Sequence, residues 1–148
     1  MNYYLLDLAQ FFVINSSNLL ISAIFISRVK KARFERILGI LNLVLGIPTV
    51  IIIIINLIFQ REWWFWIIPS LFLIFLFFEL IVDYIRKIQF RNPRNKRILV
   101  PYLILYYSSI ILMWGLTWTI GLLYGVITGI TYFIELGCAI YAGKHGVG

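Results

Sequence analysis

Two carboxylates, Glu79 and Glu135, stand inside long apolar runs, where holding an ionised side chain at mid-bilayer costs at least about 2.5 to 3.5 kcal/mol. A carboxyl so placed is suited to bind and release a proton or to hold a cation. It could equally anchor its helix to a basic side chain of a neighbour. Asp83 follows Glu79 by one helical turn, and Arg86 and Lys87 follow Asp83 at the three- and four-residue spacing of side chains that meet on a helix surface. Asp83 is therefore expected to pair with those cations. Glu79 lies about 10 Å deeper than Arg86, and Glu135 about 13 Å in from Lys144. Ser22, Asn42 and Tyr102 fall at similar depths, so the expected site is one polar cluster in which Glu79, Glu135, Asp83, Asn42 and Tyr102 bind a proton or an ion. Two carboxyls sharing such a cluster cannot easily both ionise, which calls for a shared proton or an interposed cation.

The elements that must position these residues follow from composition. Of 148 residues, 62% are hydrophobic and 13% charged, against roughly 45 to 50% apolar in soluble domains. The expected fold is all-α, a polytopic transmembrane helix bundle forming one membrane domain over residues 1–148. Its spans are read at 3–27, 37–59, 63–85, 98–115 and 119–143, each long enough for a hydrocarbon core of about 30 Å. The first span starts without a basic segment and ends in Arg28, Lys30 and Lys31, so it reads as retained, not cleaved. After Arg97, a stretch of about 69 Å if helical carries only Glu135 before Lys144 and must turn back once. Residues 115–119, flanked by Trp114 and Trp118 as an interfacial pair, are the expected break, and 121–125 compete with them. One kinked helix plus a re-entrant piece would give four spans instead.

Five Lys or Arg lie in residues 28–36 and six in 86–97, against Arg61 alone in the turn between them. By the positive-inside rule both basic loops face the cytoplasm, so five spans put the N-terminus outside and the Lys144 tail inside a cell membrane. Arg28, Lys30, Lys31, Arg33, Arg91, Arg94, Lys96 and Arg97 are expected to contact anionic lipid. The net charge of +7 is accounted for by topology, so no nucleic-acid partner is expected.

At 100° per residue, Asp7, Asn15, Asn18 and Ser22 share one face of the first span, and Gly39, Asn42, Gly46, Thr49 and Asn56 one face of the second. Such faces glue helices together, or line a substrate path. Gly121, Gly125 and Gly129 recur every four residues as a glycine zipper, expected to pack tightly on a neighbouring helix of the same chain, of a second copy in a homo-oligomer, or of another membrane protein.

Several chemistries are excluded. A single cysteine, Cys138, and a single histidine, His145, allow no internal disulfide, thiolate cage or histidine metal pair. No nucleotide-loop, hydrolase or metalloprotease motif occurs, so no metal, cofactor or catalytic residue is expected and an enzyme is disfavoured. Two function classes remain: a small transporter or channel linked to protons or cations through its carboxylates, and a non-catalytic accessory or assembly subunit of a membrane complex. A lipid-headgroup enzyme using Glu79 or Asp83 has less support, because no nucleophile or metal set accompanies them.

Overall fold

A computed structural model describes residues 3–30, 34–88 and 95–147. Its helices are α1 (Tyr4–Val29), α2 (Glu35–Val44), α3 (Gly46–Ile58), α4 (Trp64–Glu79), α5 (Lys96–Ile120) and α6 (Leu122–Lys144), and α4 continues into a π-helical segment, Leu80–Ile85. Joined end to end, α2 and α3 count as one span interrupted at Leu45, so the described residues hold five helices long and apolar enough to cross a membrane. Pro48 fits the interruption: it has no amide hydrogen to give the carbonyl four residues back, that of Val44.

The bundle is organised around α1, whose apolar window is 56% buried against 22% for α5 and α6. It packs on α2, α3, α5 and α6, while α4 packs on α3 and α5. Phe72 and Phe75 of α4 are fully buried among Ile14 of α1, Ile52 of α3, and Tyr106, Ile110 and Met113 of α5. The outer surface is the reverse of a soluble protein's, with Leu5, Phe12, Ile47, Ile58, Phe77, Ile104, Leu122 and Phe133 all more than half exposed. Lipid tails solvate such a surface, and water does not.

The turn between the last two helices lies at Gly121, the competing position, and not at residues 115–119. Gly121 has φ +155° and ψ 162°, a conformation essentially confined to glycine. The expected fourth span thus lengthens to Lys96–Ile120 and the fifth starts at Leu122. Trp114 and Trp118, expected to mark the break, instead lie within α5 and turn toward α6. A Cβ on Gly125 would overlap the Trp118 ring, one on Gly129 would come within 2.9 Å of Trp114, and Trp114 Nε1 donates to the Gly125 carbonyl at 2.7 Å. Two indoles from the preceding helix fill the glycine stripe where a second backbone was expected to approach.

Of the residues expected at anionic lipid, Lys30, Lys96 and Arg97 are exposed. Arg28 is turned inward to Glu35 at 2.7 Å, with its side chain 13% exposed. Lys31, Arg33, Arg91 and Arg94 lie outside the described residues.

Candidate functional site

Both carboxyl groups are reached from α1. Ser17, fully buried, donates from Oγ to Asn42 Oδ1 at 2.9 Å, and Asn42 Nδ2 lies 3.4 Å from Glu79 Oε2. The approach of α2 to the end of α4 depends on Gly39, one turn before Asn42: a Cβ there would overlap the Tyr84 hydroxyl, which donates to the Arg36 carbonyl at 3.5 Å. Glu79 is 5% exposed and is the last α-helical residue before the π-helical segment, where the Arg86 amide reaches back to the Ile81 carbonyl at 2.8 Å. Such π-helical turns re-aim side chains and recur at functional sites.

The second branch runs along the seam between α1 and α6. Asn15 Nδ2 donates to the Phe11 carbonyl at 2.7 Å and to Thr128 Oγ1 at 3.0 Å, and Thr131 Oγ1 lies 2.8 Å from Asn15 Oδ1. Asn18 sits between Thr131 and Glu135. With its amide nitrogen toward Glu135, Asn18 donates to Glu135 Oε2 at 3.1 Å and to the Ile14 carbonyl at 3.2 Å, and its oxygen accepts from Thr131 Oγ1 at 3.0 Å. Glu135 is 1% exposed, and among the described residues no cation forms an ion pair with it.

The expected single cluster is therefore resolved into two branches diverging from adjacent α1 residues. Asn42 and Glu79 meet directly, and Tyr102 lines a cavity with Glu79. Glu135 belongs to the α6 seam, and the Ser22 hydroxyl is committed to the Asn18 carbonyl at 2.7 Å. Asp83 is half-buried on the π-helical segment, within electrostatic reach of Tyr84 along with Glu79, Glu35 and Arg28. The polar arcs read from the sequence do face inward: Asn15, Asn18 and Ser22 of α1 and Gly39, Asn42, Thr49 and Asn56 of α2 and α3 are buried.

At the opposite end a site emerges that the sequence reading did not assemble. Arg61 Nη1 pairs with Asp7 Oδ1 at 2.6 Å, with the two side chains 10% and 17% exposed. The end of α3 places Arg61. The Gln60 amide bonds to the Leu57 carbonyl and the Arg61 amide to the Asn56 carbonyl, with Gln60 at φ 50°, which is a Schellman turn. The guanidinium then reaches Asn56 Oδ1 at 3.3 Å and lies 3.6 Å from the Phe65 ring centroid. A signal was present: Asp7 is the sole charge of its span and Arg61 the sole basic residue of that end, so each needed the other.

Among the described residues no three of His, Cys, Asp and Glu converge as a metal site would require. No family model, curated protein or solved structure matches this chain, so its own residues carry the functional reading.

Proposed function

We propose that the chain is a multi-pass protein of a cell membrane, N-terminus outside and C-terminus cytoplasmic, acting as a small proton-linked transporter or channel through Glu79 and Glu135. The orientation rests on the two basic loops at one end of the bundle and Arg61 alone at the other. Exposed Lys30, Lys96 and Arg97 then meet anionic headgroups.

The burial of Glu135 carries this reading: it is 1% exposed, among the described residues no cation forms an ion pair with it, and Asn18 donates to its Oε2 at 3.1 Å. A carboxyl held in apolar surroundings by neutral hydrogen-bonding partners is suited to bind and release a proton. Asn18 accepts from Thr131 Oγ1 at 3.0 Å, Thr131 Oγ1 lies 2.8 Å from Asn15 Oδ1, and Ser17, next to Asn18, begins the path to Glu79. A proton is favoured over a metal cation because the polar atoms around Glu135 include donors, which a cation would repel.

The alternative, an accessory subunit docked through its glycine stripe, loses its motif where Trp114 and Trp118 occupy Gly129 and Gly125. Native mass spectrometry of protein gently extracted from its own membrane separates the two readings. The chain alone or as a homo-oligomer fits a transporter, and a stoichiometric foreign partner would overturn it in favour of a subunit.

A further inference from the structure

Glu79 has a second neighbourhood, on the side away from Asn42. A largely enclosed cavity of about 50 Å³ lies between α1, α4 and α5 at the end that carries the basic loops, lined by Arg28, Glu79, Tyr102, Tyr106 and Tyr107 among apolar side chains. Tyr106 is 3% exposed, and its hydroxyl makes no hydrogen bond among the described residues. Leaving a buried hydroxyl without a partner costs about 1 to 3 kcal/mol, so such a group on a mostly apolar cavity that Arg28 and Glu79 also line points to a small ligand within it. One water needs roughly 10 to 15 Å³ of such space and two or more polar partners, so the cavity has room for about three to five.

We infer that this cavity is a hydration site whose waters, held by the Tyr106 hydroxyl, carry protons between the Arg28–Glu35 pair and Glu79. The inference rests on the reading of Glu79 as a proton-binding group. Arg28 joins the cavity to the surface: it lines the chamber while its guanidinium holds Glu35, whose side chain is 46% exposed. The cavity wall brings Arg28 from α1 and the three tyrosines from α5 together with Glu79, and Tyr84 of the π-helical segment is within electrostatic reach of Glu79, Asp83, Glu35 and Arg28. Tyr102 and Tyr106 are stacked at 10° between ring planes, which fixes the Tyr106 ring against the cavity. In the transfer step the Glu79 carboxylate takes a proton from a cavity water as that water takes one from the next, a relay supplied from bulk water beside Glu35 so that no free hydronium rests against Arg28, and release reverses the step. A metal cation is disfavoured by the Arg28 guanidinium in the same wall.

Infrared difference spectroscopy of the full chain in lipid nanodiscs tests this. The band to follow is the carbonyl stretch of protonated Glu79, assigned by its loss in Glu79→Gln. The expected result is that this band shifts promptly on transfer to D₂O, and that Tyr106→Phe slows the exchange about tenfold by removing one hydrogen bond to the water. A Glu79 band that does not exchange, or that exchanges equally fast in Tyr106→Phe, would overturn the hydration site and leave the proton-binding reading standing. Absence of any Glu79 band across the accessible pH range would remove that reading and this inference with it. Loss of the band on adding sodium or potassium would make the cavity a cation site and overturn the inference as stated.

Discussion

Ser17 and Asn18, consecutive residues of α1, serve different carboxyl groups: Ser17 leads through Asn42 to Glu79, and Asn18 contacts Glu135. One helix thus reaches both buried acids, Glu79 through Asn42 and Glu135 through the Asn18 amide. Asn18→Leu removes the amide and leaves Glu135 and Thr131 to find other partners. The expected outcome is a loss of roughly 1 to 2 kcal/mol in thermal unfolding in detergent, with Ser17→Ala costing about 0.6 kcal/mol. Equal stability of Asn18→Leu and wild type would mean that the amide does not hold Glu135.

The Asp7 and Arg61 pair should be the strongest single polar tie at its end of the bundle. Removing one member of a mostly buried pair strands the other, so Asp7→Ala is expected to destabilise by about 3 kcal/mol or more. Arg61→Lys should recover only part of the native stability, because an ammonium cannot reach Asp7 and Asn56 while also stacking on Phe65. A double-mutant cycle on Asp7→Asn and Arg61→Met measures the coupling, and a coupling near zero would contradict this account.

Glycines of the last two helices should separate cleanly by what surrounds them. Gly125→Ala and Gly129→Ala drive a methyl into Trp118 and Trp114, with an expected cost of about 1 to 3 kcal/mol each. Gly115→Ala meets nothing within 4 Å and should be neutral or slightly stabilising through helix propensity. Gly121→Ala forces a side chain into a backbone conformation it avoids, at a cost of about 1 to 3 kcal/mol. Melting temperatures of the four variants rank the sites, and an unaffected Gly125→Ala would remove the indole from its assigned place.

The sequence exposed the number of helices, the inward polar arcs and the segregation of basic loops, because each depends on one helix and its solvent. Relations between helices were hidden. Glu79 and Glu135 could be assigned a depth from their distance to flanking charges, but whether they faced each other depended on rotations that no periodicity within one helix reports. The Gly121 turn stood only as the competing choice for a related reason: Trp114 and Trp118 carry the signature of a membrane interface, while they fill the space that Gly129 and Gly125 leave open. The π-helical segment after Glu79 has no compositional signal, since Leu80–Ile85 is as apolar and helix-compatible as the residues before it.

The central claim is that Glu79 and Glu135 bind and release protons as part of transport. The most direct test is proton flux into liposomes containing the purified chain, followed with an internal pH-sensitive dye under an imposed pH gradient. The account predicts flux above protein-free liposomes for the wild type, and its loss in both Glu79→Gln and Glu135→Gln, with helical content retained in each. Full flux in both variants would contradict it.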